Sequence, residues 1–167
     1  TYAGWTVILG DNASGKTALL KSIAIALVGP DTARTLQPSV TGWVRSGARV
    51  GTIATQLLAG ADDRFAQGRR YEKPFWSEIQ LKCDDHEKVS LSQGTKYRKG
   101  KGPTRGPWAE NPEGWFCVGY GPFRRLYGHS PEAQRLMSTK GKVARFATMF
   151  REDATLAECD IWLRQLR

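Results

Sequence analysis

Cysteine, histidine and methionine are scarce in this 167-residue chain, at three, two and two residues. Cys83, Cys117 and Cys159 are odd in number and widely spaced. That argues against a disulfide framework and for reduced thiols in a cytoplasmic protein. No cysteine or histidine pair has the spacing of a zinc site, and His86 and His129 stand isolated, as surface residues rather than catalytic ones. Long apolar runs are also missing: the longest, Ala18 to Val28, is interrupted by Lys21 and is too short to span a bilayer. The opening residues carry no signal-peptide pattern, so a soluble chain with no membrane partner is expected. Acid is the third deficit, with 16 Asp and Glu against 25 Lys and Arg, a net charge of +9 and a pI near 9.7. Such a balance suits an anionic partner, whether nucleic acid, nucleotide or an acidic protein surface, and ordinary solubility accounts for it equally. A hydrophobic content of 40% in this length fits one globular domain or most of a larger one, and there is no internal repeat.

Against these absences stands one dense element. Trp5 to Leu9 is an apolar, β-branched run ending at Gly10, and Lys16 to Val28 is an apolar helix stopped by Gly29-Pro30. The order is strand, glycine loop, helix, and a helix with so few polar groups is expected to be buried on most sides. Thr41 to Arg45 and Arg49 to Leu58 read as extended, Phe75 to Cys83 alternates as a half-buried strand, and Val89 to Leu91 adds a short one. The stretch GTKYRKGKGPTRGPWAENPEG is too rich in Gly, Pro and bases for a regular element and is expected to be loop. Trp115 to Gly119 suits a buried central strand, Ser130-Pro131 a helix start, and Thr155 to Glu158 a capping box before a stripe of Leu156, Cys159, Leu163 and Leu166.

Gly10-Asp11-Asn12-Ala13-Ser14-Gly15-Lys16-Thr17 satisfies G-x-x-x-x-G-K-[ST] at every defined position. In that arrangement backbone amides converge on phosphates and the helix N-terminus adds its positive end. Asn12, Ala13, Ser14, Gly15, Lys16, Thr17 and Ala18 are the candidate nucleotide contacts, with Lys16 the catalytic candidate reaching the phosphates and Thr17 the candidate Mg²⁺ ligand. The cofactors expected are ATP and Mg²⁺. A guanine-reading Asn-Lys-x-Asp is missing, which argues against a GTPase. A carboxylate to polarise the attacking water is hard to find: Asp62, Asp63 and Asp160 are better read as surface residues.

The segment WTVILGDNASGKTALLKSIAIAL resembles the phosphate-binding segment of ABC-type ATPase heads of the SMC and RecF group, in which Asn commonly holds the place of Asn12. Ala13 departs from the glycine usual there. FCVGYGPFRRL and MFREDATLAECDIWLRQL look like segments of prokaryotic anti-phage defence ATPases of the Septu (PtuA-like) kind. The resemblance implies an α/β P-loop NTPase fold with a mixed β-sheet, the chain being the N-terminal lobe of an ABC/SMC-like ATPase head. It implies a fragment lacking the first strands, the signature segment and the Walker B strand, so that residues 1–167 bind ATP without efficient hydrolysis. It further implies ATP-dependent pairing of heads into a homodimer or higher oligomer, with a nuclease or other effector as partner. Asn12 and Ser14 would lie near the γ-phosphate at that interface. The glutamine of the family's Mg²⁺-side loop has only Gln80 and Gln93 as candidates, since Tyr120-Gly121 follows the Trp115 strand.

Lys96, Arg98, Lys99, Lys101 and Arg105 share a loop with Tyr97 and Trp108 and with no acid between Gly94 and Ala109. They are candidate DNA or RNA contacts, or simply a solvated loop. Arg135, Lys140, Lys142 and Arg145 pose the same choice. Arg124 and Arg125, after the Trp115 strand, are candidates for contact with nucleotide, a second head or a partner, or for a structural ion pair. Two other readings stay open: a stand-alone P-loop phosphotransferase kinase using the arginine pair, and a nucleic-acid-binding module with a regulatory nucleotide site.

Overall fold

The computed structural model describes residues 4–65, 73–84, 88–95, 102–110, 112–122, 130–139 and 141–154. Helix α1 spans Lys16–Val28, and α2, Pro30–Leu36, follows after one glycine. Strands β1 (Val50–Leu57), β2 (Phe75–Cys83) and β3 (Val89–Gln93) form an antiparallel sheet with β2 in the centre. Val50 pairs with Lys82 and Leu57 with Phe75 across β1 and β2, and Leu81 pairs with Leu91 across β2 and β3. A single helical turn α3 (Gly102–Arg105), then α4 (Pro131–Ser138) and α5 (Lys142–Phe150) complete the order.

Alternation explains which face of the sheet meets the helices. Phe75, Ser77, Ile79 and Leu81 of β2 are all buried, and Ile79 and Leu81 join Ile25, Val28, Leu36, Phe146 and Phe150 in one apolar core. Burying each of these larger side chains contributes roughly 1.5–3 kcal/mol. A second cluster packs Phe65, Phe75 and Trp115 edge to face at centroid distances of 5.1–5.7 Å. The Trp115 indole N–H donates to the Arg64 carbonyl at 2.8 Å, which holds the start of the 115–120 segment.

Several expectations meet a different local structure. Residues 41–45 form turns rather than extended chain. The glycine-rich stretch contains α3, whose Gly102 lies so close to the Phe75 ring that a Cβ would stand 2.6 Å from it. Helix α1 is buried only in its second half: Ala24, Ile25, Ala26 and Val28 are in the core, while Leu19 and Leu20 are 49% and 45% exposed. Residues Trp115 to Tyr120 alternate, with 116, 118 and 120 exposed, and have no strand partner among the described residues. The segment before the glycine loop is likewise unpaired there, with Trp5, Val7 and Leu9 largely exposed.

The end of α1 is closed by a proline. The Ala26 carbonyl would normally accept the amide four residues on, but that residue is Pro30, which has none. Ser77 on β2 and the Trp108 indole N–H donate to it instead, the latter at 2.8 Å. Gly29, at φ 86°, leaves room for the Trp108 ring, which a Cβ would meet at 2.8 Å. Ser130 caps α4, accepting the Ala133 amide at 3.3 Å, and Arg151 bridges Asp153 and Glu132.

Two outcomes are expected. Ser77→Ala and Trp108→Phe should each destabilise the fold, and the double variant should lose roughly 1 kcal/mol or more beyond their sum, because only then is the buried Ala26 carbonyl orphaned; urea unfolding of the four proteins measures that coupling. The Arg151 and Ser130 hydrogen bonds hold the Asp153 carboxyl well below the usual carboxylate range. A depressed folded-state value contributes stability that is complete above the unfolded value of about 4 and is lost as pH falls further. The melting temperatures of wild type and Asp153→Asn should therefore differ at pH 7 and draw together below about pH 4.

Candidate functional site

The glycine loop turns through two left-handed residues. Gly15, at φ 86°, stands immediately before α1, and Ala13, at φ 64°, is the one non-glycine with positive φ among the described residues. Left-handed backbone costs an L-residue roughly 1–2 kcal/mol, because Cβ crowds the carbonyl. The turn directs the chain so that α1 begins without a side-chain cap and without an acid in its first turn. The first backbone bonds at this end run from Ser14 to Asp11 at 3.2 Å and from Leu19 to Gly15 at 2.9 Å. The amides of Gly15, Lys16, Thr17 and Ala18 have no acceptor among the described residues. Unsatisfied first-turn amides carry the positive end of the helix dipole.

Asn12, Ala13, Ser14, Gly15, Thr17 and Ala18 are exposed and Lys16 is half-buried. The Lys16 ammonium folds back over the loop, donating to the Gly10 and Asp11 carbonyls at 2.6 Å each and to Ser14 Oγ at 3.4 Å. Those bonds keep a cation against the loop carbonyls just before the helix end. An incoming anion would exchange carbonyl partners for its own oxygens. Gly10 suits the same turn, because a Cβ there would meet Ser14 Oγ at 2.7 Å.

Beside the loop lies a cleft of about 410 Å³, within the range of small-ligand sites. Thr6 and Ile8 form one wall and Tyr120, Gly121 and Pro122 another. Lys16, Thr17 and Leu20 of α1 and Met149 of α5 line the rest. Lys16 supplies the only charge among these residues, and no carboxylate is present. The cleft therefore favours an anion at its Lys16 and Thr17 end and apolar surface elsewhere.

The other sequence candidates do not gather here. Arg105 ends α3 and does not line the cleft. Asp62 is exposed, and Asp63 accepts the Gly60 amide at 2.6 Å in a separate loop. Gln80 and Gln93 are half-buried on β2 and β3. Lys96, Arg98, Lys99, Lys101, Arg124, Arg125 and Asp160 lie outside the described residues, as do both histidines and Cys159. Cys83 and Cys117 are free thiols, and burial pushes the Cys117 thiol up despite Arg145 and Lys142 nearby. Lys142, which donates to the Pro107 and Ala109 carbonyls, is pushed down by burial. No group of three potential metal ligands occurs among the described residues, and no helix there is long and apolar enough to cross a membrane.

Sequence inspection did not reveal the residues facing the loop: Thr6, Ile8, Leu20 and Met149 carry no motif. Only the placement of Tyr120-Gly121 after an apolar run hinted at the opposite wall. In comparison with known proteins, no family model, no curated protein and no solved structure matches the chain.

The loop geometry predicts opposite effects for two substitutions. Ala13→Gly removes a Cβ from a left-handed position and is expected to raise stability by up to about 1 kcal/mol, whereas Gly15→Ala adds one and should lower it by about 1–2 kcal/mol. Thermal unfolding of both variants beside wild type reads the signs.

Proposed function

We propose that the chain is a nucleotide-binding lobe that takes Mg-ATP at Asn12 to Ala18, as part of an ABC/SMC-like ATPase head. The observation that carries the reading is the convergence, on one uncapped helix end, of Lys16, two left-handed residues and first-turn amides with no acceptor among the described residues. Such an end suits anionic oxygens, since the amides need acceptors and the dipole favours negative charge. Lys16 would neutralise the phosphates and the exposed Thr17 hydroxyl would hold the metal. Mg²⁺ supplies charge neutralisation to the phosphate chain when bound. The protein's own part is to hold that chain and keep its terminal end at Lys16 and Thr17.

The bare apolar side chains of Trp5, Val7, Leu9, Phe116 and Val118 support the wider reading. Apolar side chains left exposed along two segments suit chain that a further element covers. In an ATPase head, further strands would complete the sheet and supply the carboxylate that the described residues of the cleft lack. Turnover, pairing of heads with ATP, and work beside a nuclease or on DNA or RNA in anti-phage defence then belong to the complete protein.

Lys16→Ala should weaken Mg-ATP binding tenfold or more, and Asp11→Ala should leave it nearly unchanged, because of these two side chains only the Lys16 ammonium would meet the phosphates; titration calorimetry decides. Equal affinity of wild type and Lys16→Ala removes the reading. Residues 1–167 should release phosphate from ATP no faster than solution background, since binding without groups aimed at the transition state does not accelerate transfer.

A further inference from the structure

We propose that two copies of this chain pair edge to edge through strand β1, independently of any nucleotide. In an antiparallel ladder, opposed residues alternate between pairs that exchange both hydrogen bonds and pairs that exchange none. The Cys83 amide donates to the Arg49 carbonyl at 2.9 Å, and Val50 stands opposite Lys82, so residues 49, 51, 53, 55 and 57 are the ones that bond to β2. The N–H and C=O groups of Val50, Thr52, Ala54 and Gln56 therefore point away from the sheet. All four residues are exposed, and no described residue bonds those groups. The other edge of the sheet is handled differently. There the Gly94 amide donates to the Glu78 carbonyl at 2.9 Å, so by the same alternation Leu91 of β3 turns its carbonyl outward, and the Arg34 guanidinium of α2 donates to it at 2.6 Å. Strand β3 is also only five residues long. Strand β1 has eight, in unbroken register with β2, and carries none of the features that keep an edge solitary: it has no charge, no proline and no bulge.

The occupant that fits this edge is a second copy running antiparallel. A two-fold axis at Ile53 sets Val50 opposite Gln56 of the second copy and Thr52 opposite Ala54 of the second copy, so every outward N–H and C=O meets its complement. The opposed side chains are all uncharged, and the pairing meets no like-charge penalty even though the chain carries a net charge of +9. Arg45 and Arg49 precede the strand, and Asp62 and Asp63 follow it. Antiparallel pairing therefore runs each basic end toward the acidic end of the other copy, whereas a parallel pair would set like ends together. The three-stranded sheet becomes six-stranded, with the helix-covered faces of both copies on one side.

The test is sedimentation equilibrium of residues 1–167 without nucleotide, over protein concentrations of about 10 to 500 µM, because bonds that replace contacts with water give a weak dimer. Wild type is expected to follow a monomer–dimer equilibrium. Ala54→Pro removes one outward N–H and leaves the bonds to β2 in place, and Ala54→Lys sets two like charges beside the axis; each should weaken pairing about tenfold or more. Ser90→Lys adds the same charge on β3, away from the contact, and should pair as wild type does. Circular dichroism at the lowest concentration reports that each variant is folded, and if proline at 54 prevents folding the lysine variant carries the comparison. Wild type that stays monomeric throughout overturns the proposal. A dimer that survives in the folded Ala54 variants overturns it too, since the bare apolar side chains of the 5–9 and 115–120 segments would then be holding the copies together. Equal loss of pairing in Ser90→Lys and Ala54→Lys overturns it as well, because net charge and not the edge would then be responsible.

Discussion

The Ala26 carbonyl, deprived of an amide partner by Pro30, is the point on which the arrangement of α1 depends. Two donors from distant parts of the chain, Ser77 and Trp108, converge on it. They tie the end of the helix to the central strand and to the segment after α3. Ile25 and Val28 sink into the core beside it, so the second half of α1 is held by both polar and apolar contacts. The first half places no residue in that core. Its residues are mostly exposed and the amides of Gly15 to Ala18 have no acceptor among the described residues, and a rigid tail is what allows that head to present a fixed array of donors.

Opposite that head, α5 does a comparable service for the 115–120 segment. Phe146 and Phe150 bury α5 in the same core that receives Ile25 and Val28, so the α1 and α5 residues that line the cleft share one foundation. Lys21 adds its ammonium over the Phe150 ring at 5.6 Å, a contact between the two helices themselves. Glycines at 119 and 121 let the segment lie closer to α5 than side chains would permit. The result is a small cleft whose polar end carries one lysine and one threonine and whose remaining surface is apolar. The strain at Ala13 and the exposure of Trp5, Val7 and Leu9 both lie at this edge of the molecule, away from the well-packed helices and sheet. Strain and bare apolar surface persist where the surrounding structure over-determines them or where something else is to be covered.

Local chemistry made much of this architecture legible. Gly29-Pro30 stops α1 because proline cannot continue it, Ser130-Pro131 opens α4 because serine caps and proline suits the first turn, and alternation marks β2 from Phe75 to Cys83. Where local chemistry was silent, reading along the chain went astray. The turn α3 sits in a stretch of glycine, proline and base, and what accompanies it is the ring of Phe75 over Gly102, a contact across many residues. Trp115 to Gly119 is apolar on both faces, so nothing in its pattern tells a covered strand from one with Phe116 and Val118 exposed. Ala18, Leu19 and Leu20 in the first half of α1 misled in the same way, being apolar yet exposed.

The amino-acid sequence by itself determined the glycine loop, its lysine and threonine, and the start and end of α1, because the backbone freedom of Gly15, the room Gly10 leaves for Ser14 and the missing amide of Pro30 act within a few residues. Only the tertiary structure decided what faces that loop. Tyr120 is more than a hundred residues from Lys16, and their shared cleft arises because α1 and α5 enter one core while Gly119 and Gly121 press the intervening wall onto α5. No local propensity encodes that meeting, since it depends on the shapes of side chains brought together from both ends of the chain.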